Sequence, residues 1–174
     1  MTSYLGNLLL DFAPQPNGLL PTNAVQRYKE FGDWIRTCYG KAIASTKGTG
    51  TSFILQLETP VEVDRIVVQE DQYYGELVRS YTVATLVDGL WRDVSAGSSI
   101  GNKRIDVWQR PVLASAVQLT LTAFVDLPHI AFFGVYDPSN CWKNGQSDFY
   151  FYCSLLPSIF IFNFVFILLM HNVA

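Results

Sequence analysis

Among residue types that carry chemistry, cysteine and histidine are scarce in this chain. Cys38, Cys141 and Cys153 are its three cysteines, and His129 and His171 its two histidines. Their spacings match no zinc pattern and no CxxC redox motif, and neither histidine has a Cys, Asp or Glu partner at ligand spacing, so no metal is expected. The bland reading of the cysteines is three unpaired thiols. Ser98 and Ser99 lie in a Gly-flanked loop without a partnered histidine and read as loop, and His129, following Pro128, reads as a surface residue. The residues best able to bind something are aromatic and cationic: Tyr73, Tyr74, Trp91, Arg92, Lys103 and Arg104. Aromatic faces with a few placed polar groups are what a shallow sugar cleft requires. The competing assignments are structural: Tyr73 and Tyr74 packing on a neighbouring domain, Trp91 covering a sandwich end, and Trp108 in the core. Of the acids, Glu70 and Asp71 read as a solvated turn or as shaping a sugar-binding loop, Asp88 as a turn residue, and Asp93 and Asp106 as outward-facing strand positions.

The elements that would position these residues follow from periodicity. Residues 5–12 form an apolar run suited to a strand buried on both faces. Thr22 is the N-cap candidate of a helix in which Val25, Tyr28, Ile35 and Cys38 recur at helical spacing, with Phe31 and Trp34 flanking. Arg27, Lys29, Glu30 and Asp33 fall on the other side, and Gly40 stands where a C′ glycine belongs. Residues 44–51 are small and polar and read as a linker. From there the period is two: runs around Phe53–Leu57, Arg65–Gln69, Tyr81–Val87, Leu90–Val94, Lys103–Trp108, Val117–Leu121 and Ile130–Tyr136, with Asp88-Gly89 marking a hairpin. Seven short strands with turns between them predict a β-sandwich or barrel.

The chain has 174 residues and a net charge of −3. Its few Lys and Arg residues are scattered, which argues against nucleic acid. From 149 to 170 no residue is charged, and six of the twelve phenylalanines lie there. That span is long enough to cross a bilayer. Three readings stay open for it: a C-terminal membrane anchor, a removable anchor-attachment signal, or sequence from an altered transcript. No signal peptide is visible at the N-terminus.

Two stretches carry a resemblance. GNLLLDFAPQPNGLLPTNAVQRYKEFGDWI, followed by KAIAST, resembles the end of the catalytic barrel in the α-L-fucosidase family of retaining glycoside hydrolases over residues 6–46. Asp11 stands where that family usually shows Asn, and Leu20 where Ile is common. VDRIVVQEDQYYGELVRSYTVATLVDGLWRDVSAGSSIGNKRID is similar to the galactose-binding-like, discoidin-like sandwich that follows the barrel. The resemblance implies a remnant of the last βα unit of a β/α barrel (1–43), a linker (44–51), a jelly-roll β-sandwich (52–140) and a tail (141–174). It implies a family that removes terminal L-fucose from glycans through a covalent glycosyl-enzyme, without a cofactor. The two carboxylates of that chemistry sit on several barrel strands and carry over to no position here. The implied partners are fucosylated glycans and the rest of a barrel, in a lysosomal or extracellular setting. The alternatives are a free-standing or membrane-tethered carbohydrate-binding or adhesion module, and a sandwich that only braces a barrel.

Overall fold

The computed structural model describes Asp11, residues 13–138 and Cys141. The expected strand over 5–12 and the apolar span 149–170 lie outside the described residues. Within them are one helix, α1 (Thr22–Tyr39), and six strands: β1 (Ala44–Thr49), β2 (Ser52–Glu70), β3 (Val78–Val87), β4 (Leu90–Gly97), β5 (Arg104–Phe124) and β6 (His129–Tyr136). All pairings are antiparallel, in the order β1-β6-β2-β5-β3-β4. β3 and β6 are separated in that order by β2 and β5, yet Val83 and Phe133 join one core cluster. The sheet therefore folds over on itself as a β-sandwich.

The bend comes from register shifts in the two long strands. Phe53 and Leu55 enter the core at alternate positions, as a two-residue period requires. Val63 and Ile66 both enter it although they stand an odd three positions apart, because the β2–β5 register shifts between Val63 and Arg65. An extra residue in one strand reverses which face later side chains occupy and adds twist. The runs expected as separate strands around Phe53 and Arg65 are thus one strand, as are those around Lys103 and Val117. The Asp88-Gly89 turn is as expected: both residues have positive φ, 51° and 76°, and Val87 pairs with Leu90 across a two-residue loop. Gly97 is required by packing, since a Cβ there would meet the phenol of Tyr81 at 2.5 Å.

Three expectations are corrected. Residues 44–51 are not a linker throughout, since Ala44–Thr49 pair with β6; the polar side chains stand on an edge strand, where ladder bonds rather than burial hold the backbone. Thr22 is the first helical residue, with Pro21 at the N-cap and no side-chain cap. Gly40 keeps right-handed dihedrals, φ −70° and ψ −53°, so the helix ends without a left-handed residue.

α1 is joined to the sandwich by a disulfide and a buried arginine. Cys38 and Cys141 are bonded, so these two are not free thiols; only the fold brings them together, across a sequence separation of 103. Next to them, Arg65 Nη1 donates to both oxygens of Asp64 (2.7 and 2.9 Å), and Nη2 donates to the carbonyls of Cys38 and Asp137 (each 3.0 Å). Its guanidinium lies 5.2 Å from the Tyr39 ring centroid and 5.9 Å from that of Tyr136. Breaking a buried pair of this kind strands a charge and costs about 3–5 kcal/mol.

Closing a loop of about 100 residues removes on the order of 4 kcal/mol of unfolded-state entropy in the chain-entropy model. Cys38→Ser is expected to destabilise the chain by about 2–4 kcal/mol. Urea unfolding under oxidising conditions measures this, with the reduced wild-type chain matching the variant.

Candidate functional site

The loop between β2 and β3 is fixed from inside by one carboxylate. Glu70 ends β2 and is 2% exposed. Its Oε1 accepts from the backbone N–H of Leu77 (2.8 Å) and Val78 (2.9 Å), and its Oε2 from that of Gly101 (2.7 Å). Its own N–H donates to the carbonyl of Gly101 at 2.9 Å. Glu70 is therefore not part of a solvated turn. It clamps two loops, because a buried carboxylate is tolerated only where donors surround it.

The clamped loop presents two aromatics. Asp71 Oδ1 accepts from the N–H of Tyr73 (3.0 Å), and the Asp71 carbonyl from that of Tyr74 (3.0 Å). Gly75, with φ +81°, completes the turn and donates to the carbonyl of Gln72. The Asp71 N–H reaches across to the carbonyl of His129 at 2.8 Å. Tyr74 stacks on His129, with centroids 3.7 Å apart and planes 11° from parallel. Tyr73 meets Tyr74 edge-on at 5.0 Å and 81°, within the range of favourable aromatic pairs. His129 Nδ1 is hydrogen-bonded to Thr49 Oγ1 at 2.8 Å. Tyr73 is 88% exposed and Tyr74 49%. Among the described residues neither phenol hydroxyl has a protein partner. Phe124 at the end of β5 and Val125 and Leu127 in the loop after it are exposed, and the Val125 N–H ties that loop to the carbonyl of Leu77 at 3.0 Å.

The other candidates do not join this group. Trp91 and Arg92 are exposed on β4, an edge strand, opposite Leu86 and Thr85. Lys103 is exposed, two residues beyond the Gly101 that Glu70 holds. Arg104 is buried, its Nε donating to Asp106 Oδ1 at 2.8 Å. Asp106 is likewise buried rather than outward-facing, and its Oδ2 accepts from Tyr81 Oη (2.7 Å) and Ser95 Oγ (3.1 Å). Burial, and then the bond to Asp106, raises the Tyr81 phenol far above its ordinary pKa, so it stays a donor at every physiological pH. Trp108 is core, as its alternative assignment had it. Among the described residues no three His, Cys, Asp or Glu side chains lie together so as to hold a metal ion. Thr49, His129 and the clamp of Glu70 escaped the sequence reading, since no local spacing announces a contact made across 80 residues.

Comparison with family sequence models and with curated proteins gives no match. Comparison with solved structures does. A protein assigned as an α-L-fucosidase from Bacteroides thetaiotaomicron is 36% identical, with a TM-score of 0.71 over 72% of this chain and 29% of its own. A glycoside hydrolase family 29 member from a rumen bacterium is 24% identical, with a TM-score of 0.66 over 80% of this chain and 28% of its own. A family 29 fucosidase of Ruminococcus gnavus, solved with fucose bound, is 20% identical, with a TM-score of 0.64 over 75% of this chain and 33% of its own. The chain is thus related to the α-L-fucosidase family of glycoside hydrolases, and it spans about a third or less of the length of these relatives.

Glu70→Gln replaces an acceptor oxygen by an NH2 group that faces a backbone donor. The expected loss is about 1–3 kcal/mol, the cost of leaving a buried donor unpaired. Chemical denaturation reads this, and limited proteolysis is expected to show faster cleavage between residues 71 and 77.

Proposed function

We propose that this chain acts as the C-terminal portion of an α-L-fucosidase-like glycoside hydrolase, with its helix seated on a catalytic barrel and its sandwich bracing that barrel. One observation carries the reading beyond the family relationship. The apolar side of α1 is largely uncovered: Val25 is 49% exposed, Ile35 41% and Tyr28 36%. The polar side is by contrast satisfied within the helix, through Arg27–Glu30, Lys29–Asp33 and Arg36–Asp33 pairs. A helix buries its apolar stripe against another element, and an uncovered stripe marks an interface.

In this reading residues 1–43 are the last βα unit of the barrel and residues 52–140 the sandwich. The carboxylate pair that retaining hydrolysis needs, about 5–5.5 Å apart, is supplied from outside this chain. The buried acids here have other duties: Asp64 holds Arg65, Glu70 holds backbone N–H groups, and Asp106 holds Arg104 and Tyr81. Fucosylated glycans are then the substrates of the completed enzyme, as the fucose complex of the Ruminococcus relative suggests. A Cys38–Cys141 disulfide supports an oxidising compartment, extracellular or lysosomal. The span 149–170 is the candidate anchor to a membrane. Among the described residues no helix is long and apolar enough to cross one.

The purified chain is expected to release no chromophore from an aryl α-L-fucoside; turnover abolished by mutating an acid within residues 1–140 contradicts the reading. Val25→Asp with Ile35→Asp is expected to leave the melt within about 0.5 kcal/mol, as exposed changes do. The same pair is expected to abolish co-purification with the barrel portion of the Bacteroides relative, and unchanged co-purification rules out α1 as the seat.

A further inference from the structure

Two fasteners run in parallel between the end of α1 and the segment after β6. One is covalent, the Cys38–Cys141 disulfide. The other is ionic. Arg65 Nη2 donates to the carbonyls of Cys38 and Asp137, each at 3.0 Å, and so joins the same two segments that the sulfurs join. Tyr39 adds a ring contact with Tyr136 at the same junction, with centroids 6.1 Å apart. Cys141 is placed by its own N–H as well, which donates to the carbonyl of Pro138 at 3.0 Å. When the sulfur–sulfur bond breaks, the two cysteines are therefore still held side by side by groups that do not depend on it.

The two cysteines are not equally open. Cys38 is 1% exposed, whereas Cys141 is only half-buried. Thiol–disulfide exchange is attack by a thiolate on one of the two sulfurs, and access decides which. An entering thiolate reaches Cys141 and is kept from Cys38. A disulfide buried on both sides opens only when the protein unfolds, but this one presents one side to solvent while the fold stands. The junction also governs more than itself. α1 buries only Ala24 and Cys38, so its last turn is what orients the helix on the sandwich. An 18-residue helix is about 27 Å long, so a small rotation at that turn moves its far end by several times as much.

We propose that the Cys38–Cys141 disulfide is a reversible redox switch, opened in the folded chain by a small thiol or dithiol that enters at Cys141. In the first step the reductant's thiolate bonds to Cys141 Sγ and the sulfur–sulfur bond breaks. Cys38 leaves with the electron pair as a thiolate and takes a proton from water. In the second step another reductant thiolate attacks the sulfur that entered. It forms the reductant's own disulfide and frees Cys141, which takes a proton in turn. Two cysteines are reduced and two reductant thiols are oxidised, and oxidised glutathione reverses both steps. In the open state Arg65 keeps α1 attached but the covalent lock on its angle is gone. The regulatory consequence, a looser seat for a barrel, rests on the function proposed above; the chemistry at Cys141 does not.

The test uses the full chain in mild detergent, carrying Cys153→Ser so that only the bonded pair reports. Reduced glutathione is added, the reaction is quenched with an alkylating agent, and the peptides are mapped by mass. Glutathione on Cys141 with alkylated Cys38 is expected. The rate of opening is expected to be unchanged in about 1 M urea, where a route through global unfolding would speed it about fivefold or more. In the fully reduced chain Cys38 is expected to be alkylated at least about tenfold more slowly than Cys141, since a buried thiol reacts only on local opening. Oxidised glutathione is then expected to restore the Cys38–Cys141 bond without denaturant. Glutathione on Cys38, acceleration by urea, or equal alkylation of the two cysteines overturns the proposal. The oxidised chain is further expected to retain the barrel portion of the Bacteroides relative better than the reduced chain. Equal retention overturns the regulatory role, whereas no retention by either form sinks the seat reading and leaves the chemistry at Cys141 standing.

Discussion

The β2–β5 ladder is the constraint from which the rest follows. The two strands pair from Ser52↔Thr120 to Val68↔Arg104, and each also carries a second neighbour, β6 on one and β3 on the other. Because the ladder is long, twist accumulates along it, and the register shifts turn that twist into a fold-over. One cluster can then fill the interior, with Ile66, Val83, Leu119 and Phe133 fully buried from four strands. No helix is needed to close this core, which leaves α1 free to face elsewhere.

Among the described residues charge is buried at three points, and two of them, Arg65 and Glu70, lie where backbone must be held that a ladder does not hold. Arg65 takes the carbonyls at the end of α1 and after β6. Glu70 takes the N–H groups of two loops. Asp106 gathers Tyr81, Ser95 and Arg104 on three strands. Unpaired backbone groups away from water are costly, and a charged side chain satisfies two or three at once. The same residues that resist substitution by their desolvation thus also determine where the loops stand.

The strands were legible because alternation, turn residues and β-branched side chains all agree along 52–136. Asp88-Gly89 announced its turn by the need for positive φ at both positions. What escaped was whatever depends on distant partners. The polar run at 44–49 gives no period, and it becomes a strand only because the N–H and C=O row of β6 is there to receive it. Glu70 and Asp106 look like surface acids in the sequence, since burial of a carboxylate is decided by donors brought from elsewhere. Of the candidate site, Tyr73 and Tyr74 were visible as an aromatic pair in a loop. Thr49 and His129, their supports, were not, and Arg104 drew attention for a charge that Asp106 already occupies.

The disulfide has a mechanical consequence. Cys38 precedes β1 and Cys141 follows β6, so the covalent path between the segments that flank the sandwich can bypass it. Tension applied between the ends passes through α1 and the sulfur–sulfur bond, and the strands from β1 to β6 carry none of it.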